Sequence, residues 1–183
     1  MRNEQQLCDL LREDAWRCDV LRAASRLCLP DCCVGAGFIR SYVWDRLCGF
    51  APLMPEDVDV VYHDDSDISE QTEKLYDGKL AQMMPDVPWS CKNQARMHIK
   101  AGIDTPYKNT EEGLMNWTET ATAVAARMDA NGALHILAPF GLEDLFSMIV
   151  RPTPLFQTRL PQYRARLAQK RWEHRWSQLT FLE

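Results

Sequence analysis

The chain has 183 residues, of which 46% are hydrophobic and 26% are charged, and its formal net charge is −5. This length suits one globular domain, because domains most often hold ~100–150 residues around a single core. An acidic chain has no long-range attraction for nucleic acid or anionic membranes, so we expect no DNA partner, and an RNA ligand would need a local basic patch such as 159–175.

The first part of the sequence alternates helical and strand patterns. Apolar residues at helical spacing predict one helix over 4–28. A short apolar run at 32–34 predicts a buried strand that enters a turn at 35–37, and a helical pattern resumes over 38–48. Residues 57–62 are rich in valine and bounded by loop residues, so they form the clearest predicted strand.

The rest of the sequence continues this alternation. In chain order we predict a helix over 69–83 with Ser69 as N-cap, a strand over 89–93, an irregular segment over 101–118, a hairpin of 122–128 and 133–138 with an Asn-Gly turn, and helices over 141–149 and 160–176. This order predicts an α+β (α/β) fold with helices flanking one mixed β-sheet. We expect a single domain over 1–183, composed of an N-terminal helix (1–29), a core (30–150) and a C-terminal helical segment (151–183).

Membrane and disulfide signals are missing from the sequence. No apolar run approaches the ~18–20 residues that span a bilayer, and no apolar stretch of a signal peptide follows the N-terminus. We therefore expect a cytoplasmic protein with no membrane partner. The seven cysteines are odd in number and form no CxxC pair, which predicts reduced, mostly buried thiols rather than disulfides or a zinc site.

Asp57 and Asp59 form the first candidate site. Alternate side chains of a strand share one face, so both carboxylates point the same way. Two carboxylates that face one site repel each other unless a cation lies between them, and Mg²⁺ commonly takes one or two carboxylates together with substrate phosphates. A strand with a solvated outer face is the alternative interpretation of the same pattern.

The turn of Gly35, Ala36 and Gly37 is the second candidate site. It lies where a predicted strand meets a predicted helix, and its small residues allow the backbone to approach a ligand closely. The following helix offers free N–H groups and a positive dipole end to an anion, and Arg40, one turn into that helix, would bind a phosphate through its planar guanidinium. A tight turn beside a surface arginine is the alternative.

Together these two segments resemble the signature of the DNA polymerase beta nucleotidyltransferase superfamily, a glycine turn followed by an acid-hydrophobic-acid strand. The chain resembles more closely a family of bacterial nucleotidyltransferase-like proteins, over roughly 30–176. The stretches that carry this closer resemblance are 39–45, 57–62, 92–98, 117–124 and 138–146.

The resemblance implies a nucleotidyltransferase fold and transfer of a nucleotide from a nucleoside triphosphate to an acceptor, which would be a protein, a small metabolite or RNA. In this interpretation Asp57 and Asp59 hold Mg²⁺ (or Mn²⁺), while the glycine turn and Arg40 hold the β- and γ-phosphates. The superfamily usually supplies a third carboxylate from the next core strand, where this chain has Ser90. Glu119 would replace that acid if 117–124 folds over the site.

Three further residues belong to the family pattern. The resemblance implies that Asn93 and Arg96 line the nucleotide pocket together with His98. For His98, a role as base, phosphate donor or metal ligand competes with a structural role in anchoring the 101–118 loop.

Two alternatives to the transferase remain at this level. One is a module that binds nucleotide or metal but has lost turnover, acting as a sensor or partner protein; the other is a phosphohydrolase on the same metal pair. In the C-terminal segment, we predict that Trp172 and Trp176 pack in the interior. The basic residues around them are predicted to form a solvated face rather than a polyanion site; they are Arg164, Arg166, Lys170, Arg171 and Arg175.

Overall fold

The structure of the protein, a computed structural model, describes residues 2–183. Its helices are α1 (Arg2–Glu13), α2 (Ala15–Ser25), α3 (Gly37–Leu47), α4 (Glu70–Met83), α5 (Gln94–Ala101), α6 (Thr110–Met115), α7 (Glu143–Phe146), α8 (Pro154–Gln157) and α9 (Leu160–Lys170). Its strands are β1 (Cys33–Gly35), β2 (Val58–Tyr62), β3 (Trp89–Asn93), β4 (Ala125–Met128), β5 (Leu134–Leu137), β6 (Ile149–Val150) and β7 (Thr180–Phe181). None of the helices within 2–183 is long and apolar enough to cross a membrane.

Five strands form the central sheet in the order β3-β2-β1-β4-β5. The pair β2 and β3 is parallel and the other pairs are antiparallel, so the sheet is mixed, as predicted. In this register Asp59 on β2 lies between Gly35 on β1 and Ser90 on β3. The strands β6 and β7 form a separate parallel pair.

The two faces of the sheet are covered differently. One face carries the main core, in which strand residues such as Val34, Val58 and Val60 pack with apolar side chains of α1, α2 and α3. The other face has a small cluster in which Val61 packs with Leu114 of α6. Because side chains alternate between faces along a strand, Asp59 shares this second, more thinly covered face with Val61.

Several predicted elements are confirmed. Ser69 caps α4 by accepting a hydrogen bond from the Thr72 backbone N–H, and β4 and β5 form the predicted hairpin. The predicted single N-terminal helix is wrong, because Asp14 ends α1 and caps α2 through a 2.9 Å hydrogen bond from the Arg17 N–H. Aspartate is a strong N-cap, and here it interrupts an otherwise continuous apolar pattern.

Two other boundaries differ from the prediction. The segment 101–118, predicted to be irregular, contains α6, which Asn109 caps, and α5 follows β3 directly. The predicted helix 141–149 is only the short α7, and the chain then enters β6. In the first place Asn109, predicted as loop, is the cap that starts a short helix, whereas no side chain caps α7.

The C-terminal segment packs back onto α3. Trp44 contacts Trp172 and Trp176 edge-on, with ring centroids 5.6 Å and 5.2 Å away. All three indoles are buried, so the predicted packing role of the two C-terminal tryptophans is confirmed. Helix α9 ends at Lys170, earlier than predicted, because Arg171 adopts a left-handed conformation with φ of 48°. All seven cysteines are free thiols, as predicted.

Candidate functional site

Asp57 and Asp59 lie at the start of β2, beside the end of β1. Asp57 is exposed just before the strand, whereas Asp59 is partly buried between Gly35 and Ser90. Within the described residues, no side-chain hydrogen bond or ion pair engages either carboxylate. Both groups are therefore available to a ligand.

The electrostatic setting of Asp59 reflects its burial. Desolvation and the neighbouring Asp57 carboxylate raise the pKa of Asp59 to about 6, against the opposing effects of Lys92, Arg40 and Arg166. The raised pKa means that negative charge accumulates here at an energetic cost. The three nearby cationic side chains offset this cost only in part.

Gly35 is required by packing. A Cβ at this position would lie 2.9 Å from the Val124 carbonyl oxygen and 3.2 Å from the Trp117 ring. Strand β4 and Trp117 therefore approach the end of β1 more closely than any side chain allows. Packing thus explains why residue 35 is a glycine, and the role of Gly35 in admitting a phosphate stays a prediction.

The remaining turn residues open helix α3. Ala36 has φ of 56° and ψ of −130°, a region that L-residues rarely adopt, and its carbonyl accepts hydrogen bonds from the N–H groups of Ile39 and Arg40. No side chain caps α3, and a Cβ on Gly37 would meet nothing nearer than the Arg40 Nη2 atom at 3.7 Å. The helix thus begins without a side-chain cap, and no atom crowds the Gly37 position, as an anion site requires.

Arg40 is buried, so the alternative interpretation of a surface arginine is wrong. Its Cζ atom lies 4.1 Å from the centroid of the Trp172 ring, and its Nη1 donates to Thr122 Oγ1 at 2.8 Å. Burial lowers the pKa of Arg40 to about 10, so the group stays charged near neutral pH. Its Nε atom is buried without a hydrogen-bond partner in the described chain.

A cavity of about 280 Å³ lies beside these residues. Its lining comes from the first turns of α3, from the loop before β2 and from the C-terminal segment; the residues are Gly37, Arg40, Ser41, Asp45, 53–57, 170–172 and 174–176. Lys170 and Arg171 were predicted to be part of a solvated face. They are exposed but line this cavity, so their proximity to Asp57 follows from the docking of the C-terminal segment and has no local sequence signal.

Glu119 does not stand as a free third acid. It is fully buried, and Oε1 accepts a 2.7 Å hydrogen bond from Arg166 Nε while Oε2 accepts one of the same length from Thr122 Oγ1. The segment 117–124 does fold towards the site. It does so with the Glu119 carboxylate buried and already bound by two side chains, so the role predicted for this residue beside Asp57 and Asp59 stays a prediction.

Asn93 lies at the other end of the strands. Since Ser90 is the residue opposite Asp59, Asn93 is about 10 Å further along β3 at ~3.3 Å per residue. Its fully buried side chain bonds to the chain near the end of β2: Oδ1 accepts from the Asp64 N–H, and Nδ2 donates to the carbonyls of Asp64 and Asp67. The structure therefore does not bring Asn93 into the site predicted for it.

Arg96 and His98 follow Asn93 on α5 and are also placed away from the carboxylate pair. Arg96 donates to both oxygens of Glu73, at 2.8 Å from Nε and 2.6 Å from Nη2, which occupies its bidentate edge. The His98 ring packs edge-on against Tyr107, and its Nδ1 has no partner among residues 2–183. These contacts favour structural roles, for His98 the anchoring of the following loop.

A sequence model of a family described as nucleotidyltransferase matches residues 22–181. The chain belongs to this nucleotidyltransferase family. The match includes the glycine turn, both aspartates and the C-terminal segment that lines the cavity. The predicted family resemblance is thereby confirmed.

Solved structures agree with this membership. An NMR structure reported to reveal a CCA-adding enzyme head domain is 30% identical, with a TM-score of 0.87 over 100% of this chain and 97% of that one. A CCA-adding enzyme in complex with CTP is 17% identical, with a TM-score of 0.61 over 96% of this chain and 43% of that one. The apo form of a CCA-adding enzyme gives 16% identity and a TM-score of 0.59, over 96% and 42%.

The predicted nucleotidyltransferase fold is thus confirmed, and this chain spans less than half the length of the two CCA-adding enzyme chains of lower identity. At 17% and 16% identity, the similarity to these two structures shows only that the fold is shared. A search of curated proteins by sequence gave no significant match.

Proposed function

We propose that this chain is a metal-dependent nucleotidyltransferase that transfers a nucleotide from a nucleoside triphosphate to a nucleophile on an acceptor. The observation that carries the proposal is the placement of Asp57 and Asp59 beside the uncapped start of α3, with Asp57 in the lining of a cavity that arginine and lysine side chains also line. Family membership supports the transfer chemistry, and a neighbour of the same fold binds CTP.

The donor set fits a divalent cation such as Mg²⁺ or Mn²⁺. Asp57 and Asp59 offer carboxylate oxygens that no described residue engages. The pKa of Asp59 is raised by burial and, second, by the Asp57 charge, and a cation would offset both effects. No group of three or more potential ligand residues occurs in the described part of the chain. The two carboxylates would therefore share the cation with substrate phosphates, a common arrangement for Mg²⁺. When bound, the metal would neutralise developing charge on the reacting phosphoryl group.

The protein groups would position the triphosphate. The first N–H groups of α3, at Gly37, present a positive dipole end to a phosphate, and Gly37 leaves room for close approach. Lys170, which pairs with Glu56 at 3.6 Å, and Arg171 supply positive charge from the opposite wall of the cavity. Arg40 lines the cavity on the α3 side and adds its charge there. These contacts would hold the α-phosphate next to Asp57 and Asp59 for in-line attack.

A module that binds nucleotide without transferring it is the second candidate. The observation that favours it is the engagement of Glu119 by Arg166 and Thr122, which leaves two free carboxylates where the superfamily usually has three. The two candidates share the same binding residues, and they differ in whether pyrophosphate is released.

Isothermal titration of the four ribonucleoside triphosphates with Mg²⁺ tests the proposal. We expect binding by the wild type and its loss in the double variant Asp57→Asn/Asp59→Asn. Asp86→Asn/Asp104→Asn is the matched control, because it removes the same charge at two exposed positions away from the cavity. Failure of the folded wild type to bind any triphosphate would overturn both candidates. Release of pyrophosphate from a bound triphosphate then separates the transferase from the binding module.

A further inference from the structure

Arg166 is held from one side by a buried carboxylate. Its Nε donates to Glu119 Oε1 at 2.7 Å across 47 residues of sequence. The carboxylate is itself fixed, since its other oxygen accepts from Thr122 and the whole side chain is inaccessible to solvent. The guanidinium of Arg166 therefore has a defined orientation, unlike that of an ordinary surface arginine.

The other edge of the guanidinium is free. The Arg166 side chain is 33% exposed, and within 2–183 its two Nη atoms donate to no protein group. Its Cζ atom lies 5.7 Å from the centroid of the Trp172 ring, the same ring that Arg40 approaches to 4.1 Å. Trp172 lines the cavity, so a single aromatic ring separates Arg166 from the proposed nucleotide site.

Two arginines, Arg40 and Arg166, lie around the Trp172 ring. Within 2–183 the one carboxylate that hydrogen-bonds Arg166 is Glu119, and it does so through Nε alone. A phosphate oxygen on the free Nη edge would give the guanidinium a second anionic partner.

We propose that Arg166 binds the β- and γ-phosphates of the nucleoside triphosphate through its free Nη edge, and that Glu119 is the positioning residue that orients it. A planar guanidinium with one edge fixed and one edge free matches the geometry of a phosphate. The inference rests on the proposed function and deepens it. It assigns Glu119 a task in the site that does not require contact with the metal or the reacting atoms.

The test is the affinity of the full chain for Mg²⁺ with a nucleoside triphosphate, and for Mg²⁺ with the matching nucleoside monophosphate. Arg166→Ala is expected to weaken triphosphate binding about tenfold or more, which corresponds to about 1.4 kcal/mol. Monophosphate binding should change less than about twofold, because the lost contact is to the β- and γ-phosphates. A merely structural role would weaken both ligands together.

Two variants sharpen the comparison. Arg164→Ala removes an exposed arginine of the same helix that pairs with Glu183, and it should leave both affinities unchanged. Arg166→Gln keeps a donor for Glu119 and most of the side-chain stem, so it preserves packing if Arg166→Ala does not fold. Glu119→Gln should also weaken triphosphate binding selectively, since it removes the charge that orients Arg166.

The outcomes distinguish this inference from the function it rests on. If the wild type binds triphosphate through Asp57 and Asp59 but the Arg166 variants bind it equally well, or lose both ligands in parallel, the assignment of Arg166 is wrong and the proposed function stands. If the folded wild type binds no triphosphate, both are wrong. A selective loss of triphosphate affinity supports both.

Discussion

The indole Nε1 of Trp176 donates a 2.9 Å hydrogen bond to Oδ1 of Asp45, although 131 residues separate the two in sequence. The same oxygen accepts from Arg175 Nε at 2.8 Å, and Oδ2 accepts from the Leu53 backbone N–H at 3.1 Å. One buried carboxylate thus ties together the loop and the C-terminal segment that form opposite walls of the cavity.

We therefore expect Asp45→Ala to destabilise the fold by about 3–5 kcal/mol, because it leaves the Trp176 donor and part of the Arg175 charge buried without a partner. Urea denaturation measures this loss. Asp19→Ala is the control, since Asp19 forms only an exposed ion pair with Arg22. A loss below about 1 kcal/mol for Asp45→Ala would show that the walls are held mainly by the tryptophan packing.

The two glycines of the turn should respond differently to alanine. Gly35→Ala places a Cβ 2.9 Å from the Val124 carbonyl, and such overpacking costs about 1–3 kcal/mol. Gly37→Ala meets no atom nearer than 3.7 Å, so the fold should be as stable as the wild type. If phosphate approaches the start of α3, Gly37→Ala should nevertheless lower triphosphate affinity. Thermal denaturation and titration of both variants check this, and equal stability losses would contradict it.

Asp59 makes stability depend on pH in a defined direction. Its pKa is about 6 in the folded protein, against about 3.9 in an unfolded chain. The folded state thus binds more protons between these values, so stability is highest below about pH 4 as far as this group is concerned and falls as pH rises through about 6.

Asp59→Asn removes this dependence. We expect the variant to exceed the wild type in stability by about 1–3 kcal/mol at pH 8, with no difference near pH 4. Urea denaturation at both pH values measures the effect, with Asp86→Asn as the control. Mg²⁺ should stabilise the wild type at pH 8 and leave Asp59→Asn unchanged. A variant less stable than the wild type at pH 8 would contradict the raised pKa.

Substitution of Arg96 distinguishes a structural role of this residue from a role in ligand binding. Arg96→Ala leaves Glu73, whose side chain is 3% exposed, without its bidentate partner, which should destabilise the fold by about 3–5 kcal/mol. At a temperature where the variant stays folded, its triphosphate affinity should be within about twofold of the wild type. A selective loss of nucleotide binding with normal stability would instead support the prediction that Arg96 lines the nucleotide pocket.

Local sequence patterns predict much of the fold but less of the site. The valine-rich strand around Asp59 and the helix that Ser69 caps are encoded by neighbouring residues, so they are read directly from the sequence. The setting of Glu119 depends on Arg166, 47 residues away, and that of Arg96 depends on Glu73, 23 residues away. The local sequence does not distinguish a carboxylate that binds a metal from one that pairs with an arginine.

The docking of α9 and its following turn onto α3 has a consequence for synthesis. A nascent chain that has emerged only as far as β6 has all five strands of the central sheet, yet Trp44 lacks both aromatic neighbours and Glu119 lacks Arg166. Such a chain could form its central sheet, but it would lack the C-terminal segment that forms one wall of the cavity. The ribosome thus completes this cavity only after α9 and the turn that follows it have emerged.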